Sequence, residues 1–229
     1  MSNADRFTRH RALLGEPGLE RLSKATVAVC GAGGLGSTLL TLIARLGVGE
    51  IHIYDPGVLD TPDLNRQTLY AAKDIGKEKA LRAAELLRAI GPELSVTAHV
   101  ERAGAKTDFS YADIVVDCLD TFSARFLIDE ATYEAGVPFV HAGVYKYFGQ
   151  VTSVQQGRTR PLRELFAQSA AAMDAEPAKP MYPPAVTTVA AFEASECVRV
   201  LLGEDEKTLF GRLLSIDLDS LEVTVLPFR

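Results

Sequence analysis

Residues 26–37 read Thr-Val-Ala-Val-Cys-Gly-Ala-Gly-Gly-Leu-Gly-Ser, and no other stretch restricts the fold as much. Positions 26–30 alternate β-branched and small apolar residues, which suits a strand buried on both faces. Gly31, Gly33 and Gly36 then supply the G-x-G-x-x-G spacing. The first glycine permits a tight turn, the second lets the backbone approach a phosphate, and the third lets the following helix pack close to the strand. A phosphate would sit on the positive end of that helix. A plain strand-to-helix turn can also be glycine-rich, so the motif points to a nucleotide only through its context: a strand before it, a helix after it, and an acid where the next strand ends.

That context is present. Residues 34–46 form a mostly apolar helical segment stopped by Gly47 and Gly49, and a second strand over 50–54 ends at Asp55. An acid there is placed to meet a ribose hydroxyl, although a turn-forming Asp before Pro56 and Gly57 has the same signature. Ahead of the first strand, residues 5–24 are split by Gly15 and Gly18 and predict two short helices whose arginines read as a solvated face. The turn-rich loop over 56–75 is long for a compact domain, which marks it as functional. A helix over 77–90 opens with Lys77 and Lys79, and cations in a first turn oppose the helix dipole. Lys79 is therefore expected to point at an anion. Strands near 94–99 and over 113–117 continue the alternation.

The alternation predicts a doubly wound, Rossmann-like, mostly parallel α/β sheet. Asp120 follows the fourth strand and precedes a helix, where it reads equally as a helix cap or as a Mg²⁺ ligand facing a nucleotide. Further strands are expected over 137–144 and 149–154. Residues 157–185 hold five prolines and little periodicity, which predicts a flexible crossover loop with a short helix at 161–168. A last helix, 186–203, places Cys197 on a core face. Residues 213–218 and 221–226 alternate around Asp219 and Ser220 as an antiparallel hairpin extension.

The chain has 229 residues, 47% hydrophobic and 24% charged, as expected for one globular domain over 1–229 with a helical arm at 1–24. A net charge of −6 without basic runs argues against a nucleic-acid partner. No apolar run is long enough to span a membrane and no signal peptide is evident, so a cytoplasmic protein is expected. Three cysteines without C-x-x-C spacing indicate neither disulfides nor zinc, and the four histidines lie at no ligand spacing.

Taken together, several ordered motifs resemble the ThiF/MoeB/HesA adenylyltransferases, relatives of the ubiquitin-activating enzymes. The resemblance runs from about Arg6 to Gly203. It covers Arg6-Phe-Thr-Arg-His, the glycine loop, Gly47-Val-Gly, Leu64-Asn-Arg-Gln67, Ile75-Gly-Lys-Glu-Lys79 and Asp117-Cys-Leu-Asp-Thr-Phe-Ser-Ala-Arg125. It ends with Gly149-Gln-Val and Ala194-Ser-Glu-Cys-Val-Arg199.

The resemblance implies ATP- and Mg²⁺-dependent adenylation of the C-terminal glycine carboxylate of a ubiquitin-like sulfur-carrier protein. Arg66 and Lys79 would neutralise the triphosphate, Asp120 would hold Mg²⁺, and Arg9 would reach the phosphates of a neighbouring subunit in a homodimer. Gly31, Gly33, Gly34, Gly36, Asp55 and Gln67 would bind the nucleotide. The sequence departs from the family pattern at Gly57, where an Asp is usual, and at Asp63, where an Asn is usual. The zinc-binding cysteine pairs are missing, and so is a transfer cysteine between 157 and 185. Two other readings stay open: a nucleotide- or carrier-binding module that has lost catalysis, and an NAD-dependent oxidoreductase, which gives Arg66, Lys79 and Asp120 no common task.

Overall fold

The structure, a computed structural model, describes residues 6–175 and 180–228. The first five residues of the expected arm and residues 176–179 of the expected crossover lie outside the described residues. The N-terminal arm is α1 (Thr8–Lys24), bent at Gly15, whose φ of 67° breaks the helix into the two pieces expected from the sequence. It is followed by β1 (Thr26–Cys30), α2 (Gly34–Leu46), β2 (Glu50–Tyr54), α3 (Lys79–Ile90), β3 (Ser95–His99), β4 (Ile114–Asp117) and α4 (Phe122–Ala135). The second half contains β5 (Phe139–Tyr145), β6 (Phe148–Val154), α5 (Leu162–Asp174), α6 (Pro183–Leu202), β7 (Arg212–Asp217) and β8 (Glu222–Pro227).

All eight strands form one sheet in the order β3-β2-β1-β4-β5-β6-β7-β8. The strands from β3 to β5 are parallel, and β6, β7 and β8 join antiparallel. The alternation of β1 explains why both faces must be covered. Val27 and Val29 enter one core with residues of α2, α3 and α6. Ala28 and Cys30 enter the other, with Ile128 of α4 and Leu162 of α5. The sheet is therefore doubly wound, and β1 and β4 mark the point where the strand order reverses. Ligands of such sheets lie beyond the carboxyl ends of the strands at this point.

One expectation needs correction. The segment read as a crossover loop with a short helix carries the 13-residue α5. Its pattern is weak because alanines fill much of it, but tertiary packing of Leu162 against the second core stabilises it where local periodicity does not. The end of α5 also ties down the first turn of α4, since the carboxylate oxygens of Asp174 accept from Phe122 N (2.7 Å) and Ser123 N (2.9 Å).

Candidate functional site

Two glycines position the loop that follows β1. Gly31 has a φ of +108°, and a Cβ there would lie 2.5 Å from the Cys118 carbonyl oxygen. Gly36 presses α2 against the turn so closely that a Cβ would come within 2.0 Å of the Gly31 oxygen. Asp55 holds this loop from the next strand: its Oδ2 accepts from Ala32 N and its Oδ1 from Gly57 N, both at 2.7 Å. Asp55 thus makes the turn contact before Gly57 and also ties two strand ends together. Tyr70, which carried no signal in the sequence, donates from its hydroxyl to the Ala32 carbonyl at 2.8 Å.

The loop between β2 and α3 contributes the charged groups. Two short 3₁₀ turns, Thr61–Asn65 and Ala72–Asp74, give it shape. Asp63 sits at its centre, nearly buried. Its Oδ2 lies 3.0 Å from Lys79 Nζ and accepts from Asp60 N at 3.1 Å. Its Oδ1 accepts from Gln67 Nε2 at 2.6 Å and lies 3.5 Å from Arg66 Nη2. Lys79 does point at an anion, and the anion it meets in the chain is Asp63. At Gly57, a Cβ would lie 2.9 Å from Asp55 Oδ1 and 3.4 Å from Lys79 Cδ, so glycine leaves room for the lysine stem.

These groups converge on a cavity of about 540 Å³ at the reversal point of the sheet. Gly31, Gly33, Gly34, Asp55, Arg66, Gln67, Lys79 and Asp120 all line it. Gly36 lies behind the loop rather than on the wall. Arg9 is exposed on α1 and does not line this cavity. The cap of α4 is Thr121, whose hydroxyl accepts from Ala124 N, so Asp120 does not serve as the cap and sits exposed at the rim. Arg102, Phe148 and Met181 also line the cavity. Arg102 and Met181 come from separate loops and Phe148 opens β6, and none left a pattern in the sequence; Arg125 and Gln150 do fall within recognisable motifs.

Below the cavity lie buried polar groups, and Glu193 Oε1 has no hydrogen-bond partner among the described residues. Cys118 Sγ faces Glu193 Oε2 at 3.7 Å. Burial, reinforced by the nearby Asp117, pushes the Glu193 carboxyl well above its ordinary range. The thiols of Cys30, Cys118 and Cys197 are all buried, and burial is the main cause that raises each of them. Among the described residues, no group of three or more His, Cys, Asp or Glu side chains is arranged to hold a metal ion. No helix among them is long and apolar enough to cross a membrane.

A glycine loop at a helix N-terminus, a strand-end acid and paired cations at the reversal point of a doubly wound sheet define a nucleotide-binding α/β protein. The sequence matches the ThiF family over residues 7–229, and the chain belongs to that family. It is 33% identical to the SAMP-activating enzyme E1 of Haloferax volcanii, with 98% of this chain and 85% of that protein covered. It is 35% identical to the sulfur carrier protein adenylyltransferase of Thermus thermophilus, covering 93% and 83%. The probable adenylyltransferase/sulfurtransferase MoeZ of Mycobacterium tuberculosis is 33% identical, and the chain spans 57% of its length. Among solved structures, E. coli MccB with ATP has the same fold, with a TM-score of 0.85 at 19% identity over 99% of this chain and 72% of that one.

Proposed function

We propose that this protein adenylates the C-terminal glycine carboxylate of a small ubiquitin-like sulfur-carrier protein, consuming ATP and releasing pyrophosphate. The observation that carries this reading is the meeting of Arg66, Gln67 and Lys79 with the glycine loop on one wall of the cavity, with Asp120 at its rim. An NAD-dependent oxidoreductase has no use for two cations beside the glycine loop. The relatives named as sulfur-carrier adenylyltransferases support the substrate class.

In this reading Gly31, Gly33, Gly34 and Gly36 form the backbone cradle, Asp55 meets the ribose, and Arg66 and Lys79 neutralise the phosphates. Gln67 orients through Asp63. A carboxylate oxygen of the carrier attacks the α-phosphorus, the bond to the bridging oxygen of the β-phosphate breaks, and pyrophosphate leaves. A glycine carboxylate is already ionised at neutral pH, so no protein base is required. Positioning and charge neutralisation carry the step. Asp120 suits Mg²⁺, which is commonly held by one or two carboxylates together with phosphate oxygens, and the ion supplies further neutralisation of the leaving group. Arg9, on the exposed arm, serves the site of a second subunit in a homodimer. No zinc takes part, the whole chain acts as one adenylation domain, and the protein works in the cytoplasm.

A second reading, a nucleotide- or carrier-binding module without turnover, is favoured by one feature. Asp63 already neutralises Lys79 and lies near Arg66, so both altered positions, Gly57 and Asp63, change the charge that ATP meets. ATP–pyrophosphate exchange with candidate carrier proteins decides between the two. Exchange that falls at least about tenfold in Asp120→Ala and in Arg66→Ala supports the enzyme, since charge-stabilising groups contribute several kcal/mol to such transition states. ATP binding without exchange for any carrier supports the module.

A further inference from the structure

Three polar side chains run from behind the cavity wall onto it, and the adenylation chemistry has no use for them. His141 on β5 and Asp117 at the end of β4 are both fully buried, and His141 Nδ1 lies 2.6 Å from Asp117 Oδ2. Gln150 on β6 follows, its Nε2 3.2 Å from His141 Nε2. Burying such groups costs stability unless each is satisfied, and an apolar trio would fill the same space at no such cost. The chain of contacts also has a direction.

An ionised carboxylate only accepts, so the proton in the first contact belongs to His141 Nδ1. Asp117 cannot turn away, because its Oδ1 accepts from Leu119 N at 3.0 Å and Arg125 Nε lies 3.3 Å from its Oδ2. Burial and the nearby Arg125 together lower the affinity of the imidazole for a second proton by more than Asp117 restores it, so the ring is neutral near pH 7. A neutral ring with its proton on Nδ1 has only an acceptor at Nε2. Gln150 must then turn its NH₂ toward His141. The amide is planar, so its Oε1 is then fixed as an acceptor on the branch of Cδ that does not meet the ring.

Gln150 lines the cavity together with Arg125 and Gly143. Gly143 pairs with Gln150 across the strands, and a Cβ on Gly143 would stand 3.4 Å from both Gln150 Nε2 and Arg125 Nη1. Glycine therefore keeps this wall thin enough for a ligand backbone to lie along it. We propose that the Asp117–His141 pair locks the Gln150 amide so that its oxygen accepts a hydrogen bond from the last backbone N–H of the acyl substrate. Gln150 is thus a specificity-determining residue, and His141 is a positioning residue acting through it. The inference rests on the reading of the substrate as a peptide carboxylate. It selects an acylated glycine over a carboxylate whose neighbouring linkage lacks an N–H.

Two measurements test it, and neither needs turnover, so they fail independently of the pyrophosphate-exchange experiment. Nitrogen NMR of ¹⁵N-histidine-labelled protein reads the His141 tautomer at pH 7, where a proton on Nδ1 alone is expected. Titration with N-acetylglycine and with O-acetylglycolate, which replaces the N–H by oxygen, reads the recognition. The wild type is expected to prefer N-acetylglycine by about threefold to tenfold, the range of one net hydrogen bond. Gln150→Leu, on the half-buried wall, loses the preference while ATP affinity is retained, and His141→Ser weakens the preference in the same direction. A proton on Nε2, equal or absent binding of the two probes by the wild type, or an unchanged preference in Gln150→Leu overturns the proposal. If His141→Ser does not fold, the tautomer and Gln150→Leu still decide.

Discussion

Gly33 and Gly36 lie three positions apart in the same loop, yet substituting each by alanine should have opposite consequences. In Gly36→Ala the new methyl would stand 2.0 Å from the Gly31 oxygen, 2.9 Å from the Gly31 carbonyl carbon and 3.3 Å from Cys118 Cβ. An aliphatic carbon approaches a carbonyl oxygen no closer than about 3.3 Å, so α2 would have to withdraw by about 1.3 Å. The nearest obstacle is the Gly31 backbone and the next is Cys118 Cβ, which its own backbone fixes, so no flexible side-chain end can swing aside to accommodate the methyl. Overpacking of this kind costs about 3 kcal/mol at the upper end, and alanine returns about 1 kcal/mol through its better helix propensity. A net loss of about 2 kcal/mol is expected.

At Gly33 the nearest atom to a new Cβ is Gln67 Nε2, at 3.7 Å, so Gly33→Ala should cost about 1 kcal/mol or less. Its methyl instead points at the face that a phosphate approaches, and ATP affinity should fall at least tenfold. Urea denaturation at pH 7 reads the first quantity, and calorimetric titration with Mg·ATP reads the second. A Gly36→Ala protein as stable as the wild type would refute the close-packing argument. Wild-type ATP affinity in Gly33→Ala would refute the placement of the phosphates on this loop.

Arg9→Ala is expected to abolish exchange, and mixing it with Asp120→Ala should restore part of the activity, because a mixed dimer has one intact site. No recovery after verified subunit exchange counts against a site shared between subunits. Asp74 is almost fully buried, beside Arg82 Nε at 2.7 Å and Lys77 Nζ at 3.1 Å. Burial raises its carboxyl, but the bond from Ala71 N and the two cations outweigh that and leave it below its ordinary value of 3.8. Its contribution is therefore complete above pH 3.8 and is lost as the pH falls through the lower folded-state value. Asp74→Asn should be less stable than wild type by about 1–3 kcal/mol at pH 7. The difference should close in acid denaturation below pH 3.8, and a constant difference would contradict this assignment. The buried thiols should resist alkylation at pH 8 in the folded protein, and incubation with ATP and carrier should leave no thiol-sensitive adduct on non-reducing gels. An adduct that vanishes on replacing Cys197 would place that residue outside the core.

The elements that were legible in the sequence are those whose signals are local. A strand over residues 26–30, a helix over 34–46 and a strand over 50–54 appear in the structure at those bounds, because side-chain period and glycine punctuation act over a few residues. The C-terminal hairpin was equally readable, since alternation flanking a turn needs only neighbouring strands. The bend in α1 followed from Gly15 for the same reason.

What depends on distant partners was not legible. The pattern of α5 is too weak to mark its length; packing against the second core and the bonds from Asp174 to the first turn of α4 decide it. Asp120 read equally as a cap or as a ligand to a metal, and only the folded chain shows that its neighbour Thr121 takes the cap. From the sequence, Asp63 was only a departure from the Asn usual in the family. Only the folded chain brings Lys79 within 3.0 Å of it and makes it the point that holds the cationic wall together. Likewise Asp117, His141 and Gln150 belong to three strands and share no sequence period. The register of β4, β5 and β6 sets them side by side, because strand pairing links residues by their place in the sheet and not by their separation along the chain.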